Sequence, residues 1–161
     1  MLTLIKVDKN QEETLHHLMQ FYFYDFSVFK PEIRLETDGT YKRFQLDEYW
    51  ADEHHHPFFI QLEDELIGFA LVTAGLGQSS NSIEEFHIIR KYTGHGYGKI
   101  AAQQLFAMFQ GKWRITQIQA NEPAKAFWRK TIRSYTGGDY TEHTDDHGRT
   151  IQEFTTVEVS S

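Results

Sequence analysis

With 161 residues, 40% of them hydrophobic, the chain can bury one sizeable core and is too short for two ordinary domains, so a single domain over residues 1–161 is expected. The lack of cysteine excludes a disulfide framework, a Cys-based zinc site and a thiol nucleophile. A formal charge of −7 opposes broad nucleic-acid binding, yet leaves room for a small anion held by a few local groups.

No apolar run approaches the ~18–20 residues of a membrane-spanning helix, and Met1 to Lys6 lacks the parts of a secretion signal. The expectation is a cytoplasmic protein without membrane or nucleic-acid partners, a monomer or homodimer. Leu2 to Val7 alternates apolar and polar side chains and reads as a strand. From Asn10 or Gln11 the spacing turns helical, with Leu15, Leu18, Met19, Tyr22 and Phe26 on one broad face. The aromatic stretch from Phe21 to Phe26 is too dense for a purely solvated surface, so some of its rings belong to the core.

Pro31 to Gly39 reads as a loop, and Thr40 to Ala51 as a second helix with Phe44, Leu46, Tyr49 and Trp50 as burial candidates. His54, His55 and His56 follow. Neighbours on an extended chain point in opposite directions, so this triplet lacks the spacing of a helical zinc pair; a solvated or partly packed loop is expected, and no metal. Phe58 to Leu62 and Leu66 to Val72 form a hairpin of buried strands around a Glu63-Asp64-Glu65 turn. Gly75, Gly77 and Gln78 to Ser82 make the next loop.

Then comes Ile83 to Phe109, a strand, a glycine-rich turn and a helix. Glycines at 94, 96 and 98 let several N–H groups converge on one anion, beside the positive end of the following helix. A dinucleotide fingerprint fails here, because Lys99 or Ala101 stands where its last glycine is needed. A P-loop fails at Thr93 and Ile100. Further on, the strand pattern Trp113 to Ala120 runs into Asn121-Glu122-Pro123-Ala124-Lys125-Ala126-Phe127-Trp128 and a helix. Gly137-Gly138 breaks the chain, and Asp139 to Thr144 with Thr150 to Val159 reads as a terminal hairpin around Asp146 to Arg149.

Thr93-Gly94-His95-Gly96-Tyr97-Gly98 resembles the pyrophosphate loop Arg/Gln-x-x-Gly-x-Gly/Ala of the GNAT superfamily of acyl-CoA-dependent N-acyltransferases, with Thr93 in place of Arg or Gln. Asn121 to Trp128 resembles that superfamily's Asn-x-x-Ala-x-x-Phe-Tyr element, with Trp128 in place of Tyr. The resemblance implies an α/β fold with a mixed, mostly antiparallel central sheet of about six to seven strands flanked by about four helices. It implies acetyl-CoA as co-substrate and transfer of an acetyl group to a primary amine of a small molecule or protein by direct attack. A non-catalytic acyl-CoA-binding or sensing domain is the alternative.

By the same resemblance, cofactor contacts fall on His87, Ile88, Ile89, Thr93, Gly94, His95, Gly96, Tyr97, Gly98, Lys99, Asn121, Ala124, Phe127 and Trp128, with a backbone N–H near Ile88 as oxyanion donor. Lys91, Lys112 and Lys125 are further local cations. Tyr22, Tyr24 and Asp25 are candidates for the acceptor pocket. Strand parity places Glu84, Phe86 and Ile88 on one face and Glu85, His87 and Ile89 on the other. Glu85 with His87 is the expected acid and imidazole pair, and Glu84 is the fallback base. Indole cannot protonate a thiolate, so either Tyr135, Tyr97 or water takes that step or the thiolate leaves unaided.

Overall fold

The computed structural model describes residues 1–75 and 79–157. Its strands are β1 (Leu2–Lys6), β2 (His55–Leu62), β3 (Glu65–Thr73), β4 (Ser82–Ile88), β5 (Gly111–Gln117), β6 (Thr141–Thr144) and β7 (Thr150–Thr156). Its α-helices are α1 (Glu12–Phe26), α2 (Asp47–Ala51), α3 (Tyr97–Met108) and α4 (Glu122–Thr136). Residues Gly77, Gln78, Glu158 and Val159, assigned above to a loop and to the last strand, lie outside the described residues.

The strands form two antiparallel sheets, β1-β2-β3-β4 and β5-β7-β6. They meet at one parallel bridge between Asn81 and Trp113. There the Asn81 N–H donates to the Lys112 carbonyl (2.8 Å) and the Arg114 N–H to the Asn81 carbonyl (2.9 Å). The Asn81 side chain, 5% exposed, ties the joint from within: its Oδ1 accepts from the Gly75 N–H (2.8 Å) and its Nδ2 donates to the Phe109 carbonyl (3.1 Å). Beyond this clasp β4 and β5 diverge, with no further pairing between them among the described residues.

The period-two strands sort side chains to two cores. Phe58, Ala70, Val72 and Ile83 face α3 and α4 and join Phe106, Trp113, Trp128 and Phe154. Phe59, Phe69 and Leu71 face the other way, onto Leu15, Leu18 and Met19 of α1 and Tyr49 of α2. Apolar burial on both faces fixes the register of β2 and β3, since a one-residue slip would exchange the two sets.

Four sequence expectations are corrected. The helix expected over Thr40 to Ala51 is confined to Asp47–Ala51. The preceding stretch is held extended by Gln20, whose side chain accepts from the Tyr41 N–H (2.8 Å) and donates to its carbonyl (3.1 Å), and by a bridge from Tyr41 to Leu35. His55 and His56 are strand rather than loop, paired with Thr73 and Val72. The strand expected to reach Ala120 stops at Gln117. On β4 a bulge between the pairs Leu71–Glu85 and Val72–Ile83 sets Glu84 aside from the ladder. Ile83 therefore joins the core on the side of Phe86, which strict alternation from the sequence would forbid.

Candidate active site

The V left by the diverging sheets is a cleft of about 510 Å³. One wall is the end of β4, at Phe86, His87 and Ile88; the opposite wall is α4, at Pro123, Ala124, Phe127, Trp128, Lys130 and Thr131. The glycine turn closes one end with Thr93, Gly94, Gly96, Gly98 and Lys99, and Asp25 of α1 stands at the mouth.

The turn owes its shape to two left-handed residues, Gly94 (φ 80°) and Gly96 (φ 86°). Gly96 is the N-cap of α3, carries no capping side chain, and accepts the first helical bond from the Ile100 N–H (3.1 Å). The N–H groups of Tyr97, Gly98 and Lys99 thus have no intrahelical carbonyl and no acidic residue in the first turn to satisfy them. A phosphate fits that end by charge and by donor geometry. Gly98 serves differently: a Cβ there would meet the Phe127 ring at 3.0 Å, so glycine lets α3 and α4 close over this end of the cleft.

On β4 the Ile89 N–H donates to the Ile67 carbonyl (2.8 Å) and His87 stands opposite Phe69. Antiparallel ladders alternate, so Phe86 and Ile88 turn their amides away from β3 and into the gap where β5 has left. Gly68 makes this register possible, since a Cβ on it would stand 2.1 Å from the His87 carbonyl oxygen.

Glu85 and His87 share the face toward α1. The Tyr22 hydroxyl donates to Glu85 Oε2, and the Tyr22 ring is wedged edge-on to Phe69 (5.6 Å) and stacked on Phe26 (5.5 Å). Burial first, with Glu84 nearby, pushes the Glu85 carboxyl up to about 7, against the lowering effect of the Tyr22 bond and Lys30. The phenol of Tyr22 is pushed up by its own burial and by Glu85. His87 is 8% exposed; desolvation, aided by Arg90 and opposed by Asp25, pushes its imidazole below 6.5 and keeps it neutral at pH 7. Its Nε2 is buried without a hydrogen-bond partner, 3.9 Å from Asp25 Oδ2, while Asp25 Oδ1 accepts from Arg90 Nη2 at 2.7 Å.

Of the residues expected from sequence, the cleft brings together Asp25, His87, Ile88, Thr93, Gly94, Gly96, Gly98, Lys99, Ala124, Phe127 and Trp128. Glu85 and Tyr22 sit behind His87 rather than on the cleft wall. The others lie elsewhere. Glu84 is exposed and accepts from Ser82 Oγ (2.5 Å). Tyr135 is two turns of α4 beyond Trp128, its ring on Phe106 (5.4 Å), and does not reach the cleft. Tyr97 and His95 pair with each other (5.9 Å) outside the lining. Asn121 uses its Oδ1 to cap Ala124 N–H (3.2 Å), and the Ile89 N–H is taken by Ile67. Tyr24 is 63% exposed. Lys125 pairs with Glu122 (3.0 Å), and Lys91 lies over the Tyr92 ring.

Sequence reasoning missed Lys130 and Thr131, which sit one turn after Phe127 and Trp128 on the same face of α4 and were findable by the helical period. It also missed Tyr92 and Arg90, which carry no motif. Among the described residues no cluster of His, Asp or Glu could hold a metal ion, and no helix is long and apolar enough to cross a membrane.

Solved structures share this architecture. An acetyltransferase from Thermus thermophilus superposes with a TM-score of 0.68 at 15% identity, over 96% of this chain and 97% of that one. The ribosomal-protein-S18-alanine N-acetyltransferase from Escherichia coli gives 0.63 at 11%, over 99% and 97%. A Bacillus subtilis acetyltransferase in complex with CoA gives 0.60 at 12%, over 98% and 100%. No curated protein matches the chain significantly in sequence. The profile of the acetyltransferase (GNAT) family matches residues 13–132, across the helix that carries Asp25, the splayed strand, the glycine turn and most of α4, and the chain belongs to that family.

Proposed function

We propose that the protein transfers an acetyl group from acetyl-CoA to a primary amine by direct attack, with no covalent enzyme intermediate. The observation that carries this is the splay between β4 and β5: it exposes the amides of Phe86 and Ile88 along a cleft that ends at the uncapped start of α3. The fit to the co-substrate is specific. The amides of Tyr97, Gly98 and Lys99 suit the pyrophosphate, the Lys99 and Lys130 ammonium groups lie in the same cleft, and the free strand edge suits the pantetheine amides. Acetyl-CoA supplies an activated thioester carbonyl.

The chain's own groups do the rest. The Ile88 N–H, fixed by the ladder on its other side, donates to the oxyanion. His87, neutral and with Nε2 unpaired, takes the proton of the amine. Glu85 and Tyr22 back the imidazole and hold its face of the strand. Trp128, 7% exposed between Phe86 (5.3 Å) and Phe127 (4.9 Å), keeps the site apolar, and the departing thiolate takes its proton from water.

Calorimetric titration with acetyl-CoA, with dephosphorylated pantetheine as control, tests the cleft. Micromolar binding that depends on the phosphates is expected, followed by thiol release when amines are added. Binding without thiol release toward any amine would instead support an acyl-CoA-sensing domain, and no binding at millimolar ligand would overturn both.

A further inference from the structure

The carboxylate Oδ2 of Asp25 and the imidazole Nε2 of His87 stand 3.9 Å apart. That distance is too long for a hydrogen bond. Asp25 Oδ1 is already taken by Arg90, so Oδ2 is left over; His87 Nε2 is buried and unpartnered. With the imidazole proton on Nδ1, Nε2 is an acceptor like Oδ2, and the two together are complementary to a single nitrogen carrying at least two N–H groups. Such an atom sits at ordinary hydrogen-bond length from both, at an apex angle near a right angle. A buried polar atom without a partner is destabilising unless the site is built for a ligand that supplies one.

The surroundings say what that nitrogen is attached to. On α1, Phe21 stands four residues before Asp25, on the same face of the helix and one turn away, with Tyr24 next to Asp25 in sequence, and Val28 lies in the turn that follows the helix. All three are open to solvent: Phe21 is 56% exposed, Tyr24 63% and Val28 79%. Phe21 and Tyr24 thus make the outer surface of α1 next to Asp25 apolar, with Val28 just beyond the helix end. The cation Arg90 is bonded to Asp25, and Lys30 lies close enough to Glu85, behind His87, to act on it electrostatically. They disfavour a second positive charge on the acceptor.

We propose that the acceptor is a monoamine with an apolar body, its ammonium seated between Asp25 Oδ2 and His87 Nε2 and its body resting on Phe21, Tyr24 and Val28. This rests on the acetyl-transfer reading and adds the acceptor class to it. The ammonium first gives one proton to His87, which passes it to solvent. The nitrogen lone pair then forms the C–N bond to the thioester carbonyl carbon. As the C–S bond breaks, the new amide nitrogen sheds a second proton and the thiolate takes one up from water. Amine in its ammonium form and acetyl thioester become amide, free thiol and one proton in solution.

The test measures thiol release from acetyl-CoA with 2-phenylethylamine, ethylamine, spermidine and a lysine-containing peptide, after calorimetry has shown acetyl-CoA to bind. 2-Phenylethylamine is expected to exceed ethylamine in kcat/KM by about tenfold, and to exceed spermidine and the peptide. Asp25→Asn should raise the amine KM about tenfold or more with the acetyl-CoA KM little changed, and Asp25→Glu should recover part of the loss. In Phe21→Ser/Val28→Ser the preference for 2-phenylethylamine over ethylamine should collapse toward one. A higher kcat/KM for spermidine or the peptide, equal values for the two monoamines, or an unaltered amine KM in Asp25→Asn would overturn the proposal. A protein that binds acetyl-CoA and acetylates none of the panel also overturns it, while leaving the cofactor assignment standing; failure to bind acetyl-CoA removes the acetyl-transfer reading itself.

Discussion

Glu85 and His87 lie two residues apart on one strand face, and the same burial moves them in opposite senses. Glu85 is held up to about 7, so its favoured form in the fold is neutral. Its contribution to stability is complete below the unfolded carboxyl value near ~4.3 and is lost as pH rises through about 7. Between pH 5 and pH 8 the native protein should lose about 2 kcal/mol relative to Glu85→Gln in urea titrations. His87 is depressed, so its contribution is present above the unfolded imidazole value and fades as pH falls. Both proteins keep His87, and the comparison isolates Glu85. In turnover the order reverses. With His87 as base, kcat/KM should fall on the acid side with an apparent pKa below 6.5, and His87→Gln should lower kcat by ~10²–10⁴ and erase that limb. An acid limb at about 7 that disappears in Glu85→Gln would give the role to Glu85.

Two glycines show how different constraints look alike in a sequence. Gly96 faces open space but has φ 86°, so its requirement is conformational. Gly96→Ala should destabilise the protein by about 1 kcal/mol, seen as a lower melting temperature, and weaken acetyl-CoA binding by misaiming the amides that follow. Gly68 has no such φ, but a Cβ on it would collide with the β4 backbone. Gly68→Ala should cost about 1–3 kcal/mol in urea unfolding and lower kcat as well, because the displaced carbonyl belongs to His87. The turn around Gly96 was legible because three glycines, a strand before and a helix after make a local pattern. Gly68 was silent, because its reason lies on another strand. Tyr135 lies off the cleft for a related reason: composition offers a hydroxyl and the helical period sets it on the face of Trp128, but two turns along the axis bring it onto Phe106 instead. The bulge at Glu84 was hidden too, since parity counted along a sequence assumes an unbroken ladder. Glu85 and His87 still share a face because both lie on the same side of that bulge.

The order of strands and helices could be read from hydrophobic periods and turn residues, but the gap between the two sheets could not. Nothing in the composition of β4 or β5 says that neighbours in sequence order will part after one bridge. The clasp at Asn81 marks where the two sheets are joined, through its backbone bonds to Lys112 and Arg114 and its side-chain bonds to Gly75 and Phe109. The consequence is that the protein carries an unfinished sheet, and under the proposed function the pantetheine of acetyl-CoA would stand in for the missing strand. Amide hydrogens of Phe86 and Ile88 should therefore exchange with deuterium quickly in the free protein although both side chains are largely covered, and those of His87 and Ile89 slowly. Saturating CoA should slow the first pair by an order of magnitude or more and leave the second pair nearly unchanged. Fast exchange at all four, or protection of Phe86 and Ile88 without ligand, would mean that the edge is not waiting for anything.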